Sequence, residues 1–237
     1  MKKQIPNIIT LLNLSAGVTA IVIAFQNNKL AIAAMMVVLA SFFDFFDGLA
    51  ARLLRVKSTI GKELDSLADV VSFGVAPAII VYRFYQQNIN FQTNELFGVN
   101  FLFLLFPLLY VCFAAYRLAK FNIDTQQSEN FRGLPTPAAA FVLISLPFFP
   151  FFHYPIIIIS TVIIALCYLM VSNLPLFSLK FKNLKLKDNL FRYILICLSI
   201  LLLICFYFKA VPFIILTYMI LSIIKISLSK KLEKKDA

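Results

Sequence analysis

LAIAAMMVVLASFFDFFDGLAARL, residues 30–53, starts as an uncharged apolar run and ends in two aspartates, a glycine and an arginine. Leu30 to Phe43 carry no charge, so Asp44 and Asp47 stand at the end of a hydrophobic span. Carboxylates in that position are costly unless something compensates them. Beyond a basic turn come Gly61, Asp65 and Asp69, completing the pattern D-x2-D-G-x2-A-R-x8-G-x3-D-x3-D. Four of the chain's 11 acidic residues are thus the aspartates of this one pattern, and divalent cations are the natural compensation.

The rest of the composition agrees with a membrane setting. The chain is 61% hydrophobic, with 26 Phe and no Trp, against about 45–50% apolar residues in soluble domains. Repeated uncharged stretches approach the ~20 residues needed to cross a bilayer. The formal charge of +11 does not mark a nucleic-acid binder, because the basic residues fall in short connections between apolar spans. Cys112, Cys167, Cys197 and Cys205 lie inside apolar spans with no C-x-x-C pair, which argues against a disulfide framework or a thiolate metal site. The N-terminal apolar run is longer than a signal-peptide core and lacks a small-x-small cleavage site, so it reads as a retained helix.

Eight spans are expected, at about 8–26, 30–51, 65–85, 99–119, 137–152, 155–173, 190–208 and 210–228. With the N-terminus in the cytoplasm, Lys and Arg divide 19 inside to 3 outside (Lys29, Arg83 and Lys209). That asymmetry supports eight spans with both termini cytoplasmic. The fold class expected is therefore all-α and polytopic, a single integral membrane domain over 1–237. Lys2 to Asn13 allow an amphipathic start at the inner interface. The Lys-rich connection at 174–189 reads as a positive-inside loop attracted to anionic lipid.

Asp44 and Asp47 are three apart, and Asp65 and Asp69 four apart, so on helices each pair projects from one face. Gly48, Ala50 and Ala51 thin the helix beside the first pair. The turn after Arg52 makes the two helices antiparallel and able to bring the pairs together. Converging carboxylates repel unless cations intervene, and oxygen-only ligands suit Mg²⁺ or Mn²⁺. Two such ions can grip a diphosphate, and Arg52 can hold a phosphate oxygen through its forked donors. Capping of helix ends explains one or two acids, not four at these spacings. A metal-coupled transporter remains the distant alternative, and it predicts acids spread toward the bilayer midplane.

The pattern resembles, at every specified position, the signature of the CDP-alcohol phosphotransferase family. The resemblance implies integral membrane enzymes, often homodimers, that move a phosphatidyl or similar group from a CDP-linked donor to an alcohol and release CMP. It implies that Asp44, Asp47, Asp65 and Asp69 bind two metal ions and that Asp69 also serves as general base. Gly48 and Arg52 would contact the CDP donor, with Ser58 beside them. Pro6-Asn7-Ile-Ile-Thr10 is similar to the family's P-N-x-x-T element, placing Asn7 and Thr10 against the nucleotide.

Three further stretches resemble the branch of that family using CDP-diacylglycerol and L-serine. They are GKELDSLADVVSFGVAP at 61–77, RLAKFN at 117–122, with Lys120 where Arg is more usual, and FRGLPTPAAA at 131–140. The resemblance covers most of residues 5–140, the expected catalytic core, with additional transmembrane helices over about 141–228. A serine site needs a cation for the carboxylate, which Arg117 can supply from the same membrane face as the aspartates. Asn122, Ser72 and Thr136 are the other acceptor-site candidates. His153, the one histidine, falls on the opposite face and is not expected to act in catalysis. The expectations are CDP-diacylglycerol and L-serine as substrates, two Mg²⁺ or Mn²⁺ ions, a likeness to homodimers, no nucleic acid, and an inner-membrane enzyme with a cytoplasmic active site. A sister enzyme using glycerol phosphate, inositol or another alcohol is the near alternative.

Overall fold

Small residues bring the first two helices together. Helix α1 (Gln4–Ala24) packs along α2 (Leu30–Leu53), burying Ala20 and Ala24 against Ala33, Ala34 and Val37. In a bilayer no hydrophobic gain separates helix from lipid, so close backbone approach through small side chains carries the association. The structure is a computed structural model that describes residues 4–56, 58–88, 99–123, 130–149, 155–179, 183 and 185–233. His153 and the basic residues Lys2, Lys3, Lys57, Lys180, Lys182, Lys234 and Lys235 lie outside the described residues.

Helix α2 stops in a defined way. Arg55 takes a left-handed φ of 52°, while the Val56 amide donates to Ala51 O and the Arg55 amide to Arg52 O. This pair of bonds satisfies the orphan carbonyls of the last turn. Ser58 then caps α3 (Thr59–Asp69), accepting from the Gly61 amide at 3.1 Å. The short turn returns the chain antiparallel to α2.

The chain stays helical beyond Asp69. A π-helical turn (Val70–Val75) carries the chain into α4 (Ala76–Asn88). Such turns are rare and cluster at functional sites. Here Tyr110 of α5 (Val99–Ile123) donates to the Phe73 carbonyl at 3.0 Å. The other side of the turn lies against α1, where a Cβ on Gly17 would sit 2.9 Å from Ser72 Cα. Glycine alone permits that approach.

A second core joins α4 and α5 to α6 (Thr136–Ser145), α7 (Pro155–Val171) and α9 (Val211–Glu233). Tyr85, Tyr110, Leu143, Ile159, Ile163 and Met170 are fully buried in it. Helix α8 (Leu186–Phe206) turns into α9 through a 3-10 segment, Tyr207–Ala210, and packs against it. The expectation of helices alone needs one amendment. Strand β1 (Asn130–Arg132) pairs antiparallel with β2 (Pro175–Phe177), aligning Phe131 with Leu176. Gly133 follows at φ 75°, where a Cβ would meet Met170 O at 2.6 Å, so glycine is required there.

Among the described residues, four stretches are long and apolar enough to cross a membrane: Gln4–Ala24, Leu30–Leu53, Thr59–Gln87 and Asn189–Leu228. The last contains the α8–α9 bend. Thr136–Phe148 and Ile157–Val171 are shorter apolar helices. Helix α1 is continuous from Gln4, with no separate interfacial segment among the described residues. The expected fifth span leaves the α-helix at Ser145 for a 3-10 turn, Leu146–Phe148, because Pro147 has no amide to donate. Its end, 150–152, lies outside the described residues. Large side chains such as Ile8, Met35, Phe42, Leu108, Ile204 and Tyr207 are exposed. A surface this apolar suits lipid rather than water. The four cysteines are free.

Candidate active site

Helices α2 and α3 deliver the aspartates, and α1 covers them. Carboxylate oxygens of Asp44, Asp47 and Asp65 lie within 4.8 Å of one another. Asp69 lies one helical turn beyond Asp65 and is 9% exposed, while Asp47 is 6% exposed. Asp44 makes close contact with both Asp65 and Asp69. The two pairs that spacing placed on helix faces therefore converge on one another.

Their donor set fits hard divalent ions. All the candidate ligands are carboxylate oxygens, the type preferred by Mg²⁺ and Mn²⁺. Mutual repulsion among carboxylates this close calls for positive charge between them. A cavity of about 370 Å³ opens beside Asp47 and Asp65. Asn7, Thr10, Gly48, Ser58, Gly61 and Lys62 line it. A Cβ on Gly48 would meet nothing within 4 Å. No packing among the described residues requires glycine there, so the space it leaves is available to a ligand.

Thr10 uses its hydroxyl on Asp47 Oδ2 at 2.7 Å and on Pro6 O at 3.0 Å. Asn7 approaches from the same helix, its Oδ1 2.9 Å from where a Gly61 Cβ would be. Ser58 does double work as helix cap and cavity wall. Arg52 instead bends back onto its own helix, Nε donating to Gly48 O at 2.9 Å, and remains exposed.

The acceptor candidates separate. Arg117 is buried at 8% exposure, stacks over the Phe121 ring at 4.9 Å and is close enough to Asp69 to interact with it electrostatically. Ser72 is fully buried and donates to the Asn13 carbonyl at 3.1 Å. Asn122 donates to Ser66 Oγ at 2.6 Å and accepts from Lys62 Nζ at its carbonyl. That bracket belongs to a different groove, between α3 and α5. Thr136 is fully buried at the start of α6, its hydroxyl without a partner among the described residues.

Two residues enter the site that spacing alone did not nominate. Asn13, fully buried, donates from Nδ2 to Asp69 Oδ1 at 3.3 Å. Its signal was an amide within the apolar part of the helix, one turn after Thr10. Lys62 lines the cavity beside Asp65, where it had counted only as a charge in a cytoplasmic turn.

Comparisons with known proteins point the same way. The model of the CDP-alcohol phosphatidyltransferase family matches residues 3–172. The chain is 36% identical over 170 residues to a CDP-diacylglycerol–serine O-phosphatidyltransferase of Bacillus subtilis, covering 72% of this chain and 88% of that protein. It is 37% identical over 205 residues to a protein of the same name from Helicobacter pylori, covering 82% and 80%. An archaetidylserine synthase of Methanothermobacter thermautotrophicus is 35% identical over 173 residues, covering 72% and 68%. Helical architecture, converging aspartates and these likenesses together establish that the chain belongs to the CDP-alcohol phosphatidyltransferase family.

Proposed function

We propose that this transferase moves the phosphatidyl group of CDP-diacylglycerol to the hydroxyl of L-serine, giving phosphatidylserine and CMP. The observation that carries the reading is the convergence of four aspartates beside a buried arginine, Arg117. An acidic site prepared for cations suits a diphosphate donor. A buried guanidinium near Asp69 suits an acceptor with its own carboxylate. The names carried by the bacterial relatives favour serine.

Asp44, Asp47, Asp65 and Asp69 would hold two Mg²⁺ or Mn²⁺ ions. Bound there, the ions supply neutralisation of the donor's diphosphate and stabilisation of charge developing on its oxygens. Thr10 orients Asp47. Asn7, Gly48 and Ser58 shape the wall against which the nucleotide rests, and Arg52 swings from its helix to a phosphate oxygen. Arg117 receives the serine carboxylate, with Ser72, Asn122 and Thr136 as further contributors. Asp69 accepts the proton of the serine hydroxyl as that oxygen bonds to the phosphorus attached to diacylglycerol. The bond from this phosphorus to the bridging oxygen breaks, and CMP leaves with the electron pair. Positioning and charge stabilisation supply most of the acceleration.

The chain works as a single integral membrane domain, with a core over about 5–140 and further spans over about 141–228. Eight spans, cytoplasmic termini, an active site on the cytoplasmic side of the inner membrane and a homodimeric assembly complete the proposal. The 19-to-3 division of basic residues supports that orientation. It puts water-soluble serine and the lipid-anchored nucleotide on the same face.

The test is CMP release by purified protein in detergent with CDP-diacylglycerol and Mn²⁺ or Mg²⁺, offered L-serine, glycerol 3-phosphate or myo-inositol. Serine should support turnover well above the others. Asp69→Asn should lower kcat by about 10²–10⁴-fold, the usual contribution of a positioned base. Turnover with glycerol 3-phosphate or inositol but not serine would sink the acceptor assignment. Full activity in Asp69→Asn would sink the base.

A further inference from the structure

Pro6, Thr10, Asn13 and Gly17 form one stripe of α1, and it faces the aspartates. Thr10 engages Asp47, and Asn13 engages Asp69, one turn apart on the same helix. Gly17 anchors the stripe by its close approach to Ser72, whose hydroxyl returns to the Asn13 carbonyl. Ser72 lies in the π-helical turn that begins immediately after Asp69. Asn13 is thus held from both its main chain and its side chain.

The orientation of its amide is fixed by chemistry. An ionised carboxylate only accepts, so Nδ2 must face Asp69. Oδ1 is then directed elsewhere, and it is a fully buried acceptor without a partner among the described residues. Buried polar atoms are rarely left unpaired, and those that are call for an explanation. An incoming substrate is one.

We propose that Asn13 joins Asp69 to the acceptor: Nδ2 fixes the carboxylate that takes the proton, and Oδ1 receives the ammonium group of the amino alcohol. This rests on the reading that serine is the acceptor and Asp69 its base. The division of labour follows from serine's two charged ends. Arg117 is matched to the carboxylate, but a guanidinium cannot hold an ammonium. Asp69 must keep an oxygen for the hydroxyl. The amide oxygen of Asn13 is a neutral acceptor beside Asp69, which itself interacts with Arg117, and Nδ2 engages only one of the two Asp69 oxygens.

The experiment compares wild type, Asn13→Ala and Asn13→Asp as full-length protein in detergent with Mn²⁺, varying serine and CDP-diacylglycerol separately. Asn13→Ala loses both contacts. Its kcat should fall about 100-fold, as misplacement near the chemistry does. Its KM for serine should rise about tenfold, with KM for CDP-diacylglycerol within about threefold of wild type. Asn13→Asp keeps an acceptor oxygen but loses the donor. It should recover most of the serine KM while kcat stays low, a split that general distortion of the helix does not produce. Should the alanine variant fail to fold, the isosteric aspartate carries the test. Near wild-type kcat/KM for serine in Asn13→Ala overturns the inference, and so does an equal rise in KM for both substrates. A wild type that ignores serine but uses another alcohol overturns the acceptor reading instead, and that outcome is read before any variant.

Discussion

Two glycines make opposite predictions from the same one-carbon change. Gly48 lies in α2 with nothing within 4 Å of where a Cβ would go, and it lines the 370 Å³ cavity. Gly17 lies in α1 with Ser72 Cα 2.9 Å from that position and Ser72 Oγ closer still. Glycine in a helix interior costs about 0.5–1 kcal/mol relative to alanine. Gly48→Ala should recover that with no clash, and about 1 kcal/mol shifts Tm by roughly 2–4 °C in a chain of this size. Gly17→Ala gains the same propensity but meets backbone, and overpacking of that kind costs about 1–3 kcal/mol. Its Tm should fall. Activity should run the other way for Gly48→Ala, because the new methyl occupies space assigned to the CDP donor. A displaced diphosphate raises KM for CDP-diacylglycerol by about tenfold or more, equivalent to about 1.4 kcal/mol. Thermal unfolding in detergent and CMP release against donor concentration measure the two effects on the same preparations. A Gly48→Ala enzyme with unchanged donor KM and kcat would refute the claim that this cavity holds the donor. A destabilised Gly48→Ala would refute the geometry itself.

Metal dependence and acceptor recognition can be checked separately. Chelation with EDTA should stop CMP release, and adding Mn²⁺ or Mg²⁺ should raise Tm, since a ligand at about 100 times its Kd adds about 2.7 kcal/mol. Asp44→Asn, which removes one of the three clustered carboxylates, should lose that metal-induced rise while folding normally. An unchanged rise in the variant would remove Asp44 from the metal site. Arg117→Leu should raise KM for serine by about 10–100-fold, as expected for a lost charge-assisted contact, and leave the donor's KM alone. Equal effects on both substrates would reduce Arg117 to a packing residue over Phe121.

The readable parts of the molecule were those written in local periodicity. Uncharged runs announced the helices, and i+3 and i+4 spacings placed Asp44 with Asp47 and Asp65 with Asp69 before any coordinate was needed. Ser58 ahead of Thr59 was legible too, although as a donor contact rather than as the cap it also is. What spacing could not supply was contact between distant segments. Asn13 and Asp69 are separated by 56 positions, and no pattern in either segment predicts that α1 crosses the base of α3 there. The β1–β2 ribbon escaped for a related reason, being three residues long and paired across 45 positions, too short to show a strand period. Asn122 shows the converse limit. Its place at the end of α5 nominated it for the acceptor, and spacing gave no sign that its amide and carbonyl also tie α5 to Ser66 and Lys62 of α3.

That tie bears on how the site is kept in order. The aspartates project from two helices that meet only at a short turn, so their mutual repulsion pushes α2 and α3 apart. Three clamps oppose it from different directions. Thr10 and Asn13 hold the pairs from α1. The Lys62–Asn122–Ser66 bracket holds the start of α3 to α5. Tyr110 pins the π-helical turn just beyond Asp69 through the Phe73 carbonyl. Each clamp ends on a backbone or side-chain atom within a few residues of an aspartate, and each originates on a different part of the bundle from α2. Arg117, near Asp69, adds charge but not rigidity, since it stacks on Phe121 of its own helix. A site of like charges is held together here by neighbouring helices, so the carboxylates stay converged on the place where cations would sit.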